Sequence, residues 1–409
     1  MGGRSALLVQ AALVSFGALA CGGHTTTRDK DDAAGGAAQS STTDGAGGQA
    51  EAIAPGNGVA GAPALGSGGS AGSDHEPSSP GAAGAGAASC EALSCGEDQG
   101  CFAELAGECL RVCTLATSLA SQQAVSALAD QHCEVIVGDF SVSGPDVSSL
   151  VGLESLRFID GSLALSGSTA IQNLEGLDAL QAVSAALVVE GTATLTSLHG
   201  LEALLQVGGD LVLAANAQLD DISALANTSF ARPALTLVSN AALSNLSGLE
   251  HLTAAANVTI ASNTGLTSLS GLSNLSEVGN GFTVASNSNL TSLELPELTQ
   301  VLGSMSVTST PVLQNVALPK LNSVGLELVF AGNDRLPALE FESLVSVGRL
   351  VIEGNATLAS LGPLATLTHI DELLVTDNPS LPQCQVDQID ARLGACGSCQ
   401  GNDESAMCD

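Results

Sequence analysis

The stretch from Val258 to Leu293 reads VTIASNTGLTSLSGLSNLSEVGNGFTVASNSNLTSL. Within it the phrase apolar-x-apolar-x-x-Asn occurs twice, as VTIASN and FTVASN, and leucine or valine recurs at every third residue between the two copies. A period of three is neither the helical period nor the strand period. The stretch therefore predicts short strands separated by corners, with short straight segments that bend the chain around a narrow core.

The same phrase recurs along most of the chain at intervals of 22 to 24 residues. Its eleven starts are Phe140, Leu163, Leu187, Leu211, Leu235, Val258, Phe282, Met305, Leu328, Leu350 and Leu373. A fixed period in this range is the signature of a solenoid, in which each unit stacks on the next because it cannot bury its apolar face alone. The sequence thus predicts a mainly β fold, a parallel β-solenoid of about eleven coils over residues 134–381.

An asparagine ends most of these phrases. The recurring residues are Asn216, Asn240, Asn263, Asn287, Asn333, Asn355 and Asn378. An asparagine side chain at a corner bonds turn backbone that stacking would otherwise bury without partners. We therefore expect these residues to form a structural ladder that joins neighbouring coils.

The composition excludes some classes of partner. The formal net charge is −32, and only ten of the 409 residues are Lys or Arg. So few cations cannot neutralise nucleic-acid phosphates or dock the chain on anionic lipid. Trp and Tyr are absent, which removes the usual platforms for stacking bases. We expect no nucleic acid and no cofactor.

The first 89 residues read as an export signal and a tether. Residues 1–20 place one Arg before an apolar run too short to span a bilayer, which is typical of a signal peptide. The sequence ALACGG then resembles a bacterial lipoprotein signal, which makes Cys21 the candidate lipidation site. The alternative is an ordinary signal peptide with a chance cysteine. Residues 21–89 are rich in Gly, Ala, Ser and Thr, and this composition predicts a disordered, lipid-anchored linker.

Ten further cysteines fall in segments 90–133 and 382–409, on either side of the repeat. They are Cys90, Cys95, Cys101, Cys109, Cys113, Cys133, Cys384, Cys396, Cys399 and Cys408. An exported chain of this kind most simply forms disulfides, although the sequence leaves the pairing open. The pair Cys396 and Cys399 is a CxxC, but it lacks the context of a redox or zinc motif. Apolar residues at helical spacing predict a small helical cap in each segment.

A family resemblance accompanies this layout. Residues Cys133 to Gly144 read CEVIVGDFSVSG, which resembles the opening of a receptor L-domain. The resemblance covers about residues 133–381 and implies a right-handed, leucine-rich-repeat-like solenoid, either one rod or two fused domains. The whole layout is similar to surface lipoproteins of myxobacterial type. No motif here matches the growth-factor-binding residues of the receptors, so the resemblance implies no hormone binding.

Catalytic chemistry has little support in the sequence. The six histidines are scattered without metal-ligand spacing. Glu340 and Glu342 could face the same way on a strand, as the carboxylates of a glycosidase do, but a solvated acidic edge explains them better, since no aromatic residue or cleft-forming insertion accompanies them. We expect no enzyme and no metal site.

The middle residue of each phrase points outward and gives a candidate binding face. Its members are Val212, Thr236, Thr259, Thr283, Val329 and Val351. A flat face of this kind binds partners in some proteins, whereas strand propensity alone also favours Val and Thr. The sequence predicts a lipid-anchored protein of the outer membrane or cell surface that binds an unknown protein or glycan. The alternatives are a scaffold without a ligand and a glycan hydrolase. The oligomeric state is left open.

Overall fold

The computed structural model describes residues 99–102, 108–114, 118–167, 170–339, 341–362 and 364–407. The predicted signal segment 1–20, the linker 21–89 with Cys21, and three of the cap cysteines (Cys90, Cys95 and Cys408) lie outside the described residues, as does Glu340.

The described part of the chain is built from short strands and two helices. The strands are β1 (Gln99–Phe102), β2 (Glu108–Thr114), β3 (Val135–Val137), β4 (Phe140–Val142), β5 (Phe158–Asp160), β6 (Leu163–Ser166), β7 (Ala182–Val183), β8 (Leu187–Glu190), β9 (Gln206–Val207), β10 (Leu211–Ala214), β11 (Ser229–Phe230), β12 (Ala234–Val238), β13 (Ala254–Ala255), β14 (Asn257–Ala261), β15 (Glu277–Val278), β16 (Phe282–Ala285), β17 (Ser292–Glu294), β18 (Gln300–Val301), β19 (Met305–Thr308), β20 (Asn315–Ala317), β21 (Ser323–Ala331), β22 (Ser346–Glu353), β23 (His369–Thr376) and β24 (Cys396–Gln400). The helices are α1 (Gln122–Ala129) and α2 (Gln383–Leu393).

Twelve parallel strands form what we call the long sheet, one strand for each coil. They are β4, β6, β8, β10, β12, β14, β16, β19, β21, β22, β23 and β24. The chain is therefore mainly β and forms a parallel β-solenoid of about 12 turns, which confirms the predicted fold class. At ~4.8 Å per strand the long sheet extends over about 50 Å. Strand β24 adds a twelfth member to the eleven phrases counted in the sequence.

A second column of shorter strands runs beside the long sheet. Strands β3, β5, β7, β9 and β11 pair in parallel, and β13, β15 and β18 do the same further along. In β21, β22 and β23 a single strand spans both columns, and the pairing of β21 with β22 has a register shift between Val324 and Glu327 in place of the corner. The two columns therefore merge into one sheet toward the C-terminal end.

The three-residue period comes from successive turns. Leu243 N–H donates to the Asn240 carbonyl at 3.2 Å, Leu249 to Leu246 at 3.2 Å and Leu252 to Leu249 at 3.0 Å. Bonds between residues three apart wind the chain at about three residues per turn, so every third side chain points the same way. Each of these leucines is at most 2% exposed. The sequence predicted short straight segments in the leucine run, whereas the structure has consecutive turns there.

The core is a column of stacked apolar side chains. In β12, Leu235 and Leu237 point inward and are fully buried, while Thr236 between them is partly exposed. Fully burying one leucine contributes ~1.5–3 kcal/mol, and the same inward pair recurs on successive strands. The core holds the coils in register, because a slip of one residue would turn every inward side chain to the solvent.

Helix α1 covers the N-terminal end of the solenoid. It buries Val125 and Leu128 against the first coil. The Gln122 side-chain oxygen accepts from the N–H groups of Ser148 and Ser149 at 2.9 and 3.1 Å, and its amide donates to the Ser149 carbonyl at 3.0 Å. The Gln122 side-chain amide thus makes the hydrogen bonds to the first coil that the backbone of a preceding coil would otherwise make.

Helix α2 covers the coils near the C-terminal end in the same way. The Gln385 amide donates to the Ala359 carbonyl at 3.1 Å. The Arg392 guanidinium donates to the carbonyls of Leu364 and Leu367 at 2.7 and 2.6 Å. Open solenoid ends require such covers, because buried backbone without a partner is costly. The predicted helical caps are therefore present in both cysteine-rich segments.

Two disulfides lie wholly within the described residues. One joins Cys113 to Cys133 beside α1, and the other joins Cys396 to Cys399 within β24. Cys109 and Cys384 are disulfide-bonded as well. The expectation of disulfide bonds in the caps is confirmed for these residues, and the CxxC is one of the bridges.

Candidate functional site

Each strand of the long sheet ends at a corner of one repeated geometry. In eleven successive coils the residue just after the strand region has a positive φ, between 53° and 77°. These residues are Gly167, Gly191, Ala215, Ser239, Ser262, Ser286, Ser309, Gly332, Gly354, Asp377 and Gly401. A left-handed residue reverses the chain direction within one step. The corner therefore determines where each strand stops and which side chains reach the outer face.

In seven of these coils the left-handed residue is followed by a fully buried asparagine that joins neighbouring coils. The Asn263 amide donates to the Leu237 carbonyl of the preceding coil at 2.8 Å. Its side-chain oxygen accepts from Asn240 N–H at 2.9 Å, and its own N–H donates to the Asn287 side-chain oxygen at 2.9 Å. The predicted asparagine residues all occupy this position and are fully buried. We call this set the asparagine ladder.

Three further residues belong to this ladder. Asn402 donates to the Val375 carbonyl at 3.0 Å and extends the ladder to the twelfth coil. Thr192 and Thr310 occupy the same position in coils that lack the asparagine, and both are fully buried. Asn402 lies six residues after Cys396, one more than in the other phrases, because the pairing of β23 with β24 shifts register after Leu373.

Thr310 is the weak step of the ladder. Its hydroxyl donates to the Thr308 carbonyl of its own coil at 3.2 Å, whereas each neighbouring asparagine donates to the coil before it. Replacing Thr310 with asparagine supplies a donor toward the Val284 carbonyl and an acceptor for Asn287 N–H. We expect a gain of about 0.5–1.5 kcal/mol in the free energy of unfolding, measured by urea denaturation. Thr310→Val is the control, and an equal gain there would assign the effect to packing.

The outward side of the long sheet carries two columns of side chains. From β8 to β22 the first column is Val188, Val212, Thr236, Thr259, Thr283, Ser306, Val329 and Val351. The second column, two residues later on each strand, is Glu190, Ala214, Val238, Ala261, Ala285, Thr308, Ala331 and Glu353. We call these two columns the long-sheet face.

The long-sheet face is small and uncharged over six neighbouring strands. The uncharged side chains of both columns are partly exposed on every one of these strands. Charge appears only at the two ends of the second column, where Glu190 and Glu353 are both exposed. The structure thus places all six predicted face residues in one column and adds a second column. The second column follows from the two-residue alternation of a strand.

An ion-pair cluster borders the face near its C-terminal end. One Arg349 terminal nitrogen lies 2.9 Å from a Glu327 oxygen, and Arg349 Nε lies 3.0 Å from a Glu372 oxygen. All three side chains are about one-third to one-half exposed, so the pairs are screened by solvent and contribute little to stability. Two carboxylates around one guanidinium leave this border with a net negative charge.

Residues that could carry other chemistry do not assemble into a site. In the described part of the chain, no group of three or more His, Cys, Asp or Glu residues is arranged to hold a metal ion. His199 Nδ1 lies 2.7 Å from a Glu202 oxygen, and this hydrogen bond raises the pKa of the exposed histidine. The Asp221 carboxylate accepts from Ser223 N–H at 2.9 Å and so supports a turn.

Three cavities within the described residues lie at the caps, and a smaller one of about 70 Å³ lies on the solenoid beside Pro319 and Glu342. One of about 180 Å³ lies between α2 and the preceding coils, where Leu361, Leu364 and Arg392 line it. Another of about 360 Å³ lies beside Arg111 and Gln131 near α1. None of the side chains of the long-sheet face lines these cavities.

Within the described residues, no helix is both long enough and apolar enough to cross a bilayer. Comparison with protein-family models, with curated proteins and with solved structures finds no match to this chain.

Proposed function

We propose that this chain is a non-enzymatic recognition protein that binds another protein through the long-sheet face. The observation that carries this proposal is the uncharged surface of two columns over six strands, bounded by Glu190 and Glu353. Contiguous apolar surface with a polar rim is typical of protein-binding sites. The rigid core beneath it holds the face in one shape, so little ordering is needed on binding.

A protein partner is favoured over a glycan by the location of the aromatic residues. A sugar-stacking site in this chain would depend on phenylalanine, since Trp and Tyr are absent. The buried phenylalanines are Phe140, Phe158, Phe282, Phe330 and Phe341, each at most 5% exposed. These rings fill the core, and the face presents methyl and hydroxyl groups instead. Such a surface suits the flat, close packing of a protein interface.

We further propose that the chain belongs with the receptor L-domain-like surface lipoproteins and is held at the cell envelope by a lipid on Cys21. The export signal, the long linker and the disulfides support this placement, because disulfides persist in oxidising compartments. Protease digestion of intact cells tests it, since cleavage of residues 134–381 without opening the outer membrane requires display on the surface.

The double variant Thr259→Lys with Thr283→Lys is expected to abolish recognition. Two lysines at the centre of the face would place unpaired charges inside any interface. We expect retention of the purified, fluorescently labelled full chain on intact cells of its source to be saturable for the native protein and to fall at least tenfold for the variant.

The matched control carries the same charge change elsewhere. Ser247 and Ser270 are exposed on corners away from the face, and lysine there should leave retention unchanged. Retention that is not saturable, or that falls equally in both double variants, would refute recognition through this face. A scaffold without a ligand would then be the better account.

A further inference from the structure

The charges around the long-sheet face define the partner more narrowly. Resting on the proposed function, we propose that the partner is a cationic protein that lays an uncharged strip across the face and presents a lysine or arginine at each end of that strip. Strand register places the two terminal glutamates in one column, and neither glutamate has an ion pair within the described residues.

Strand pairing aligns the two terminal glutamates of the long-sheet face. Glu190 and Glu353 occupy the same position of β8 and β22, and the pairing of the eight strands between and including these two places both in one column. The six residues between them are Ala214, Val238, Ala261, Ala285, Thr308 and Ala331. A partner that follows the column therefore meets a carboxylate, an uncharged strip and a second carboxylate.

The number of strands between the two glutamates fixes the distance that separates them. Seven strand-to-strand steps separate β8 from β22 along the long sheet. At ~4.8 Å per step, the backbone positions of Glu190 and Glu353 lie about 34 Å apart. An extended polypeptide rises ~3.4 Å per residue and covers this distance in about ten residues. Two cations on the partner must be spaced accordingly.

The two carboxylates are exposed to solvent and, among the described residues, unpaired. Both side chains are exposed, and within the described part of the chain neither has an ion pair or a hydrogen bond to another side chain. Several cations elsewhere on the rod are engaged by its own groups, whereas Arg335 is exposed and has no ion pair within the described residues. Arg349 lies between Glu327 and Glu372, and Lys320 contacts both oxygens of Glu297 at 2.7 Å. The two glutamates are thus available to a partner.

The net charge of the chain disfavours a second copy of it as the occupant of the long-sheet face. A copy would carry the same formal net charge of −32 and the same unpaired glutamates. Like charges repel at the ionic strength of most cells, while a cationic partner is attracted and steered toward the face. Charge complementarity therefore favours a basic protein.

The experiment selects peptides on the whole chain. A library of random fifteen-residue peptides displayed on phage is selected against the full-length protein. Enriched peptides are then measured on five proteins: the native chain, Glu190→Lys with Glu353→Lys, Glu190→Gln with Glu353→Gln, Thr259→Lys with Thr283→Lys, and the control Glu175→Lys with Glu342→Lys. The control residues are exposed, lie off the face and change the net charge by the same amount.

We expect the selected peptides to carry Lys or Arg at two positions about ten residues apart, with small uncharged residues between them. Their affinity should fall at least tenfold in the glutamate variant and in the threonine variant, and should be unchanged in the control. Raising the salt concentration should weaken binding to the native chain. The neutral variant Glu190→Gln with Glu353→Gln should give a smaller loss than the lysine variant.

The remaining outcomes separate the two proposals. Peptides that depend on Thr259 and Thr283 but show no cationic preference would overturn the cationic partner and leave recognition through the face standing. Equal losses of affinity in the glutamate variant and in the control would show that binding depends on the net charge of the protein and not on Glu190 and Glu353. That result would overturn the inference. Failure to enrich any peptide, or binding that ignores the threonine variant as well, would overturn both proposals.

Discussion

Replacing Asn263 with alanine is expected to lower the free energy of unfolding of the solenoid by about 3–5 kcal/mol. The side chain is fully buried and serves as donor to the Leu237 carbonyl and as acceptor from Asn240 N–H. Alanine removes both bonds and leaves a donor and an acceptor buried without partners. Each unsatisfied buried group costs ~1–3 kcal/mol, and the lost side-chain volume adds a cavity.

The measurement is urea denaturation followed by circular dichroism, with Asn289→Ala as the matched control. Asn289 is exposed and donates to the Thr264 carbonyl at 2.7 Å, so its loss should cost less than about 1 kcal/mol. Asn263→Thr should fall between the two, because threonine occupies the ladder at Thr192 and Thr310. Equal costs for Asn263→Ala and Asn289→Ala would show that the ladder contributes little beyond ordinary turn bonding.

The ladder was open to prediction because its chemistry is local and periodic. An asparagine that recurs at one position of a repeat implies a buried turn, and Asn216 to Asn378 all occupy such a place. Asn402 was missed because its coil replaces the apolar phrase with Cys-Gly-Ser-Cys, which indicates a disulfide more directly than a strand. In β24, Cys399 pairs with Val375, so the same residue serves the bridge and the sheet.

The corner was less accessible to sequence reasoning than the face. Ala215 and Ser262 adopt a left-handed φ that favours glycine, so the residue type does not reveal the conformation. Glu190 and Glu353 each lie three residues after a phrase start, at Leu187 and Leu350, so the repeat assigns both to one column, and the strand pairing shows that they share it. A sequence period predicts which side chains point outward and which of them are aligned.

The replacement of Gly200 by alanine is expected to lower the free energy of unfolding by more than about 4 kcal/mol, at least as much as the loss of the Asn263 side chain. Gly200 has a φ of +105°, which side chains rarely adopt, and a Cβ there would lie 2.2 Å from the Leu174 carbonyl oxygen of the preceding coil. Leu174 N–H also donates to the His199 carbonyl at 2.7 Å, so neither backbone can move without breaking the stack. Strained φ and ψ alone cost ~1–3 kcal/mol, and the clash adds to this.

The matched control is Gly354→Ala, which separates strain from close stacking. Gly354 has a φ of +62°, and a Cβ added there would have no neighbouring atom within 4 Å, so alanine should cost only about 1–2 kcal/mol. Because each coil contacts only its neighbours, a clash at Gly200 should uncouple the coils on either side of it. We expect amide hydrogen exchange to rise first near Leu174 and Gly200, and thermal unfolding to split into two transitions. A single transition at the native midpoint would contradict the inference that direct backbone contact between coils holds the rod together.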